Sequence, residues 1–118
     1  MDFQIDNKSP IYLQIIKYIK RKVVIGELNP GDIIPSRREM ALELNVNLNT
    51  VQKAYKEMDE MGIINTFKNY QSTITIDENI LKNIKSELIN ESLNEFIENM
   101  KAINVSKEEV IQIIKEKY

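Results

Sequence analysis

The chain has 118 residues, a formal net charge of −2, 42% apolar residues, and neither cysteine nor histidine. That length allows one domain, or one small domain with an appendage. The missing residue types exclude disulfides, thiolate or imidazole catalysis, and metal sites built from nitrogen and sulfur. No apolar run of about 18 residues is present to span a membrane, and Met1-Asp2-Phe3-Gln4 begins no basic-then-apolar export segment. A cytoplasmic protein without metal or cofactor is the expectation.

Ser9-Pro10 predicts the start of a first helix over roughly Pro10–Ile25, with Ser accepting orphan amides and Pro at the first helical position. Tyr12, Ile15, Ile16, Ile19 and Val23 recur at helical spacing as one apolar stripe, and Gly26 is a natural stop. Pro30-Gly31 reads as a turn, and Pro35 keeps the residue before it out of the helical region. Ser36 with Glu39 three residues on forms a capping box, so a second helix begins there and buries Met40, Ala41 and Leu44.

Asn45-Val46-Asn47 breaks that helix, with Val46 as the apolar plug of the turn. Asn47 caps a third helix whose inner face is Val51, Ala54, Tyr55 and Met58 and whose end is Gly62. Beyond Gly62 the period changes to two. Ile64 and Thr66, then Ile74 and Ile76, alternate with polar residues and predict two short strands joined at Asn69-Tyr70-Gln71. The order is that of a winged helix-turn-helix.

From Asp77 the pattern is helical again. Leu81, Ile84, Leu88, Ile89, Leu93, Phe96, Met100 and Ile103, with Ile97 beside them, give an apolar stripe over about seven turns, more than a small winged domain can cover. Ser106 and Glu109 form a second capping box, opening a short last helix. The expected architecture is mainly α with a small β-hairpin: a winged helix-turn-helix over residues 1–76, then a two-helix dimerisation tail over 77–118. The tail's expected interface is Leu81, Ile84, Leu88, Leu93, Phe96, Ile97 and Met100.

The charge divides along the same line. Residues 1–76 carry 10 Lys and Arg against 9 Asp and Glu, whereas residues 77–118 carry 6 against 9. Phosphate affinity follows the local field, so an acidic tail does not forbid nucleic-acid binding. The front of the third helix presents Asn47, Asn49, Thr50, Gln52, Lys53 and Lys56, residue types that read base edges and phosphates in a major groove. Ser36, Arg37 and Arg38 open the second helix, where two arginines oppose the helix dipole and call for an anionic partner, the plain alternative being pairs with Glu39 or Glu43. In the wing, Lys68 is the charged candidate.

In order, Gly26-x-Leu28-x-Pro30-Gly31, Pro35-Ser36-x-Arg38, Met40-Ala41, Val46-Asn47-x-Asn49-Thr50-Val51-Gln52-Lys53-Ala54-Tyr55 and Gly62-Ile63-Ile64 resemble the DNA-binding half of the GntR family of bacterial transcription regulators. The resemblance covers about Pro10–Ile76. The short tail is similar to that of the YtrA-type subfamily, whose members dimerise through it. The resemblance implies a dimeric repressor on a palindromic double-stranded DNA operator. It also implies that Arg38 holds DNA from the second helix, that Asn49, Thr50 and Gln52 meet bases and phosphates from the third, and that Tyr55 packs. Two departures stand out. Leu48 lies where many relatives carry arginine or another polar contact, and both wing glycines are missing from Phe67-Lys68-Asn69-Tyr70-Gln71-Ser72-Thr73-Ile74. The rival reading is a winged helix used for protein interaction without DNA; an enzyme finds no catalytic constellation, and no cluster of polar anchors marks an effector site.

Overall fold

The computed structural model describes residues 3–68 and 71–118. Asn69 and Tyr70, and with them the tip of the expected wing loop, lie outside the described residues. The element order is α1 (Ile11–Val24), β1 (Ile33–Ile34), α2 (Arg37–Leu44), α3 (Leu48–Glu60), β2 (Ile64–Thr66), β3 (Ser72–Ile74), α4 (Glu78–Ala102) and α5 (Lys107–Lys117). The chain forms two compact units, Met1–Lys85 and Ser86–Tyr118, with α4 crossing from one into the other. The division falls inside α4.

In the first unit α1 and α2 both pack on α3. Their contact is the apolar face read from the sequence: Ile15, Ile16 and Ile19 from α1, Met40 from α2, and Val51, Ala54, Tyr55 and Met58 from α3 are all buried. Ala41 and Leu44 are half-buried. The core is closed by a three-stranded antiparallel sheet of order β1-β3-β2, which contributes Ile34, Ile64 and Ile74.

That sheet corrects the expected hairpin in two ways. Ile33 and Ile34 form an additional strand, pairing Ile33 with Thr73 and Ile34 with Ser72. Ile76 is no strand residue and is 75% exposed: β3 stops at Ile74, with the Thr75 amide still donating in register to the Ile63 carbonyl at 2.9 Å. Ser72, paired on both sides, is buried, and its hydroxyl shares a 2.8 Å hydrogen bond with that of Thr66.

The start of α1 is also built differently from the expectation. Pro10 is its N-cap and no side chain caps it. The Gln14 side-chain amide instead binds the segment ahead of the helix, donating to the carbonyls of Asp6 at 2.9 Å and Ser9 at 2.7 Å and accepting from the Asp6 amide at 3.0 Å. Ser9 serves with its carbonyl, not its hydroxyl. Phe3 adds an edge-to-face contact with Tyr18 of α1.

Helix ends follow one plan. After α1, α2, α3 and α4 the chain turns through Gly26, Asn45, Gly62 and Asn104, each with positive φ. The two amides around each turn fold back on the helix's last carbonyls, as Gly62 N to Asp59 O at 3.1 Å and Ile63 N to Met58 O at 2.9 Å illustrate. Asn serves where Gly does not because its short polar side chain tolerates the left-handed region.

The second unit contains the latter part of α4 and α5. Ser106 caps α5 by accepting from the Glu109 amide at 3.2 Å, which is half of the expected box. No residue in 86–118 is buried; Ile89, Leu93, Ile97, Ile111, Ile113 and Ile114 are each 39% exposed or more. Ile84, by contrast, is 2% exposed and belongs to the first unit. Its side chain, one of those expected at the interface, is covered within the first unit.

At Gly62 (φ +78°) an added Cβ would fall 2.9 Å from Cδ1 of Ile80, whereas at Gly26 (φ +82°) it would meet nothing within 4 Å. Alanine at either site is expected to destabilise the protein by about 1–2 kcal/mol through the left-handed backbone. Gly62→Ala is expected to cost more than Gly26→Ala, because Ile80 must also move. Urea denaturation of the two variants checks the order; equal losses would show that Ile80 yields freely.

Candidate nucleic-acid interface

The corner ahead of α2 is fixed by the complete capping box. Ser36 Oγ accepts from the Glu39 amide at 3.1 Å, and the Ser36 amide donates to Glu39 Oε1 at 3.0 Å. The Ser36 N–H, then its hydroxyl, hold the Glu39 carboxyl below its ordinary range, so the box is formed by a carboxylate. The turn between α2 and α3 is equally determined. Asn45 takes the left-handed conformation, and Asn47 Oδ1 accepts from the Asn49 amide at 2.8 Å.

Helical period then divides α3 into two faces. Val51, Ala54, Tyr55 and Met58 point into the core, and Asn49, Gln52, Lys53 and Lys56 are exposed. The exposed set stands at spacings of three and four, so it forms one stripe along the helix. Leu48 and Thr50 are half-buried beside it.

Tyr55 connects the helix to the corner. It is 1% exposed, and its hydroxyl donates a 2.6 Å hydrogen bond to the Pro35 carbonyl. Burial pushes the phenol's pKa up against the opposing effect of the Arg37 charge, so it remains a protonated donor. The Arg37 guanidinium lies over the same ring, 5.5 Å from its centroid. The arginine that opposes the helix dipole is thus seated on an aromatic face. The Lys53 ammonium, in turn, lies 4.2 Å over the ring of Tyr12 from α1.

Arg37, Asn49, Gln52, Lys53 and Lys56 line one surface depression, together with Glu57, Asp59 and Glu60. Half of the expected DNA-binding residues are thereby brought together. Arg38 is exposed outside this depression, as are Ser36 and Asn47, whose side chains serve as caps. Thr50 also lies outside it, and Lys68 is exposed in the turn after β2. Two features escape sequence reasoning. Tyr12 reads as one more member of an apolar stripe, and its role depends on α1 meeting α3. The carboxylates of Glu57, Asp59 and Glu60 were visible as an acidic end to the helix, a signal that could have marked the rear limit of the site.

The depression can bond base edges through its amides and phosphates through its cations. Among the described residues no group of three or more Asp or Glu side chains is placed to hold a metal ion, and no helix is long and apolar enough to cross a membrane.

Residues 11–70 match the family model for bacterial regulatory proteins of the gntR family. The HTH-type transcriptional regulator YhcF of Bacillus subtilis is 41% identical over 115 residues, covering 98% of this chain and 95% of that protein. The HTH-type transcriptional repressor YtrA of the same organism is 39% identical over 116 residues, covering 96% of this chain and 89% of the other. Among solved structures, a GntR family transcriptional regulator from Listeria monocytogenes superposes with a TM-score of 0.87 at 32% identity, over 97% of this chain and 100% of that one.

Replacing Tyr55 by Phe keeps the ring beneath Arg37 and removes only the bond to Pro35. A loss of about 1 kcal/mol is expected, which lowers the melting temperature by roughly 4–8 °C for a unit of this size. An unchanged melting temperature would show that the Tyr55–Pro35 bond adds nothing to stability.

Proposed function

Because this chain belongs to the GntR family of bacterial regulatory proteins and carries its DNA-binding helix-turn-helix, we propose that it is a cytoplasmic repressor that binds an inverted-repeat operator as a homodimer. Its relatives are transcriptional regulators rather than enzymes. The observation that carries the reading is the stripe of Asn49, Gln52, Lys53 and Lys56 on one face of α3, joined by Arg37 in a single depression. A helix so furnished enters a major groove with amides for adenine and cations for guanine or phosphate. Arg38, exposed at the front of α2, acts on the backbone.

Repression is supported by the similarity to YtrA, a transcriptional repressor. Dimerisation is supported by the second unit, whose apolar side chains Leu93 and Ile97 are 46% and 39% exposed. Side chains of that kind on a helix pair with no buried residue are expected to be covered by a partner. The half-buried Leu81, Leu88, Phe96 and Met100 complete the proposed interface. Lys68 adds a wing contact. An effector remains outside the proposal.

Selection of bound duplexes from a random pool at two salt concentrations is expected to return an inverted repeat with half-sites about one helical turn, 10–10.5 base pairs, apart. Arg38→Ala is expected to weaken all duplexes alike, and Gln52→Ala to relax preference at one base position at a cost of about 1–3 kcal/mol. Unaltered selectivity in Gln52→Ala would displace the recognition face. Failure to bind any duplex at low salt would favour a protein-interaction module.

Leu93→Glu combined with Ile97→Glu is expected to yield a monomer by sedimentation and to lower operator affinity at least 100-fold through loss of the second half-site. A dimer persisting in that variant would move the interface off this face.

A further inference from the structure

We propose that Tyr12 is a positioning residue for DNA binding: its ring holds the Lys53 ammonium in place for a backbone phosphate beside the bases met by Gln52. The proposal rests on the reading of α3 as the recognition helix and deepens it by assigning Lys53 a target and a support.

The geometry begins with the packing of α1 on α3. It brings Tyr12, the second residue of α1 and half-buried, under the exposed Lys53, whose ammonium lies 4.2 Å from the ring centroid. A lysine side chain has four rotatable carbons and ordinarily spreads over many conformers. Glu57, one turn further along α3 and lining the same depression, offers it a competing carboxylate. A carboxylate partner would neutralise the charge and occupy its donors. An aromatic face attracts the cation without accepting a directed hydrogen bond at the angles that a phosphate oxygen needs. The ammonium is therefore held in place and open to a phosphate.

The chemistry also decides between phosphate and base. An ammonium is a compact point charge that suits a phosphate oxygen, whereas a base edge is read best by the paired atoms of an amide or guanidinium. Gln52, the neighbouring residue in the depression, supplies such a pair. Lys53 is thereby a contact that sets register, and Gln52 one that reads.

Four variants and one spectrum test this. Lys53→Met is expected to weaken all duplexes alike and to lower the slope of log affinity against log salt by about one. Tyr12→Leu is expected to weaken all duplexes about three-fold, with Tyr12→Phe at wild-type affinity because the ring is kept. In the Lys53→Met background, Tyr12→Leu is expected to change nothing further. Additive losses, tighter binding by Tyr12→Leu, or failure of Tyr12→Phe to match the wild type would each overturn the proposal.

The spectrum needs no variant. In the unbound wild-type protein the Lys53 ε-methylene protons are expected upfield of the other lysines through the Tyr12 ring current. Their absence from that position overturns the proposal even if Tyr12→Leu fails to fold. A wild type that binds no duplex removes the recognition reading itself, an outcome distinct from normal binding that ignores Tyr12.

Discussion

The arrangement of the winged unit turns on one buried hydroxyl. A phenol placed in an apolar core must find a hydrogen-bond partner, since an unsatisfied one costs more than the bond returns. Tyr55 finds the Pro35 carbonyl. Pro35 follows β1 directly and precedes the cap of α2, so this bond joins the sheet, the α2 corner and the middle of α3 at one point. It also explains how α3 serves two purposes. With Val51, Ala54, Tyr55 and Met58 holding the helix from inside, no exposed residue is needed for packing. Asn49, Gln52, Lys53 and Lys56 are then free to differ in chemistry without disturbing the fold. The ring that anchors the helix inside also supports Arg37 outside, so a core residue reaches the surface through the face of its side chain.

Local signals were legible in the chain, and they account for the helices. Ser36 with Glu39, Asn47, and the turn residues Gly26, Asn45 and Gly62 act within a few positions of themselves, and the structure has each where the spacing places it. What could not be read was non-local. The strand Ile33–Ile34 is two residues long, and its pairing with Thr73 and Ser72 lies some forty positions away; nothing in a two-residue run announces it. Ile76 alternates correctly with Ile74, but alternation cannot say where pairing stops, and the in-register bond of the Thr75 amide to Ile63 falls one residue short of Ile76. Ser9 has the chemistry of a cap, yet no side chain caps α1, and Gln14 reaches back to the Asp6 and Ser9 backbone by a route only the folded segment reveals.

The site divides in the same manner. Which residues of α3 face outward follows from a period of 3.6, and of these Asn49, Gln52, Lys53 and Lys56 are exposed while Thr50 is half-buried. That Arg37 joins them while Arg38 stands apart depends on how α2 sits on α3. The aromatic seats beneath Arg37 and Lys53 are tertiary facts, since Tyr55 and Tyr12 both read as core from sequence. Likewise Ile84 and Leu93 occupy the same apolar stripe of α4, and only burial separates the one covered within the first unit from the one still exposed.

The modest charge of the winged half then has a physical use in the proposed dimer. Affinity for arbitrary DNA grows with the number of phosphates neutralised, and 10 cations against 9 carboxylates in residues 1–76 keep that number small. Glu57, Asp59 and Glu60 stand in the same depression as the cations, so the favourable field is confined to the front of α3. A subunit of this kind holds non-specific DNA weakly. Two joined subunits gain the effective concentration of a second contact only where two half-sites are correctly spaced. Discrimination in such a dimer comes from the geometry of pairing multiplied by a few placed contacts. A strongly basic domain would raise affinity for operator and genome together, and with roughly a million or more competing sites the gain would be lost to the genome.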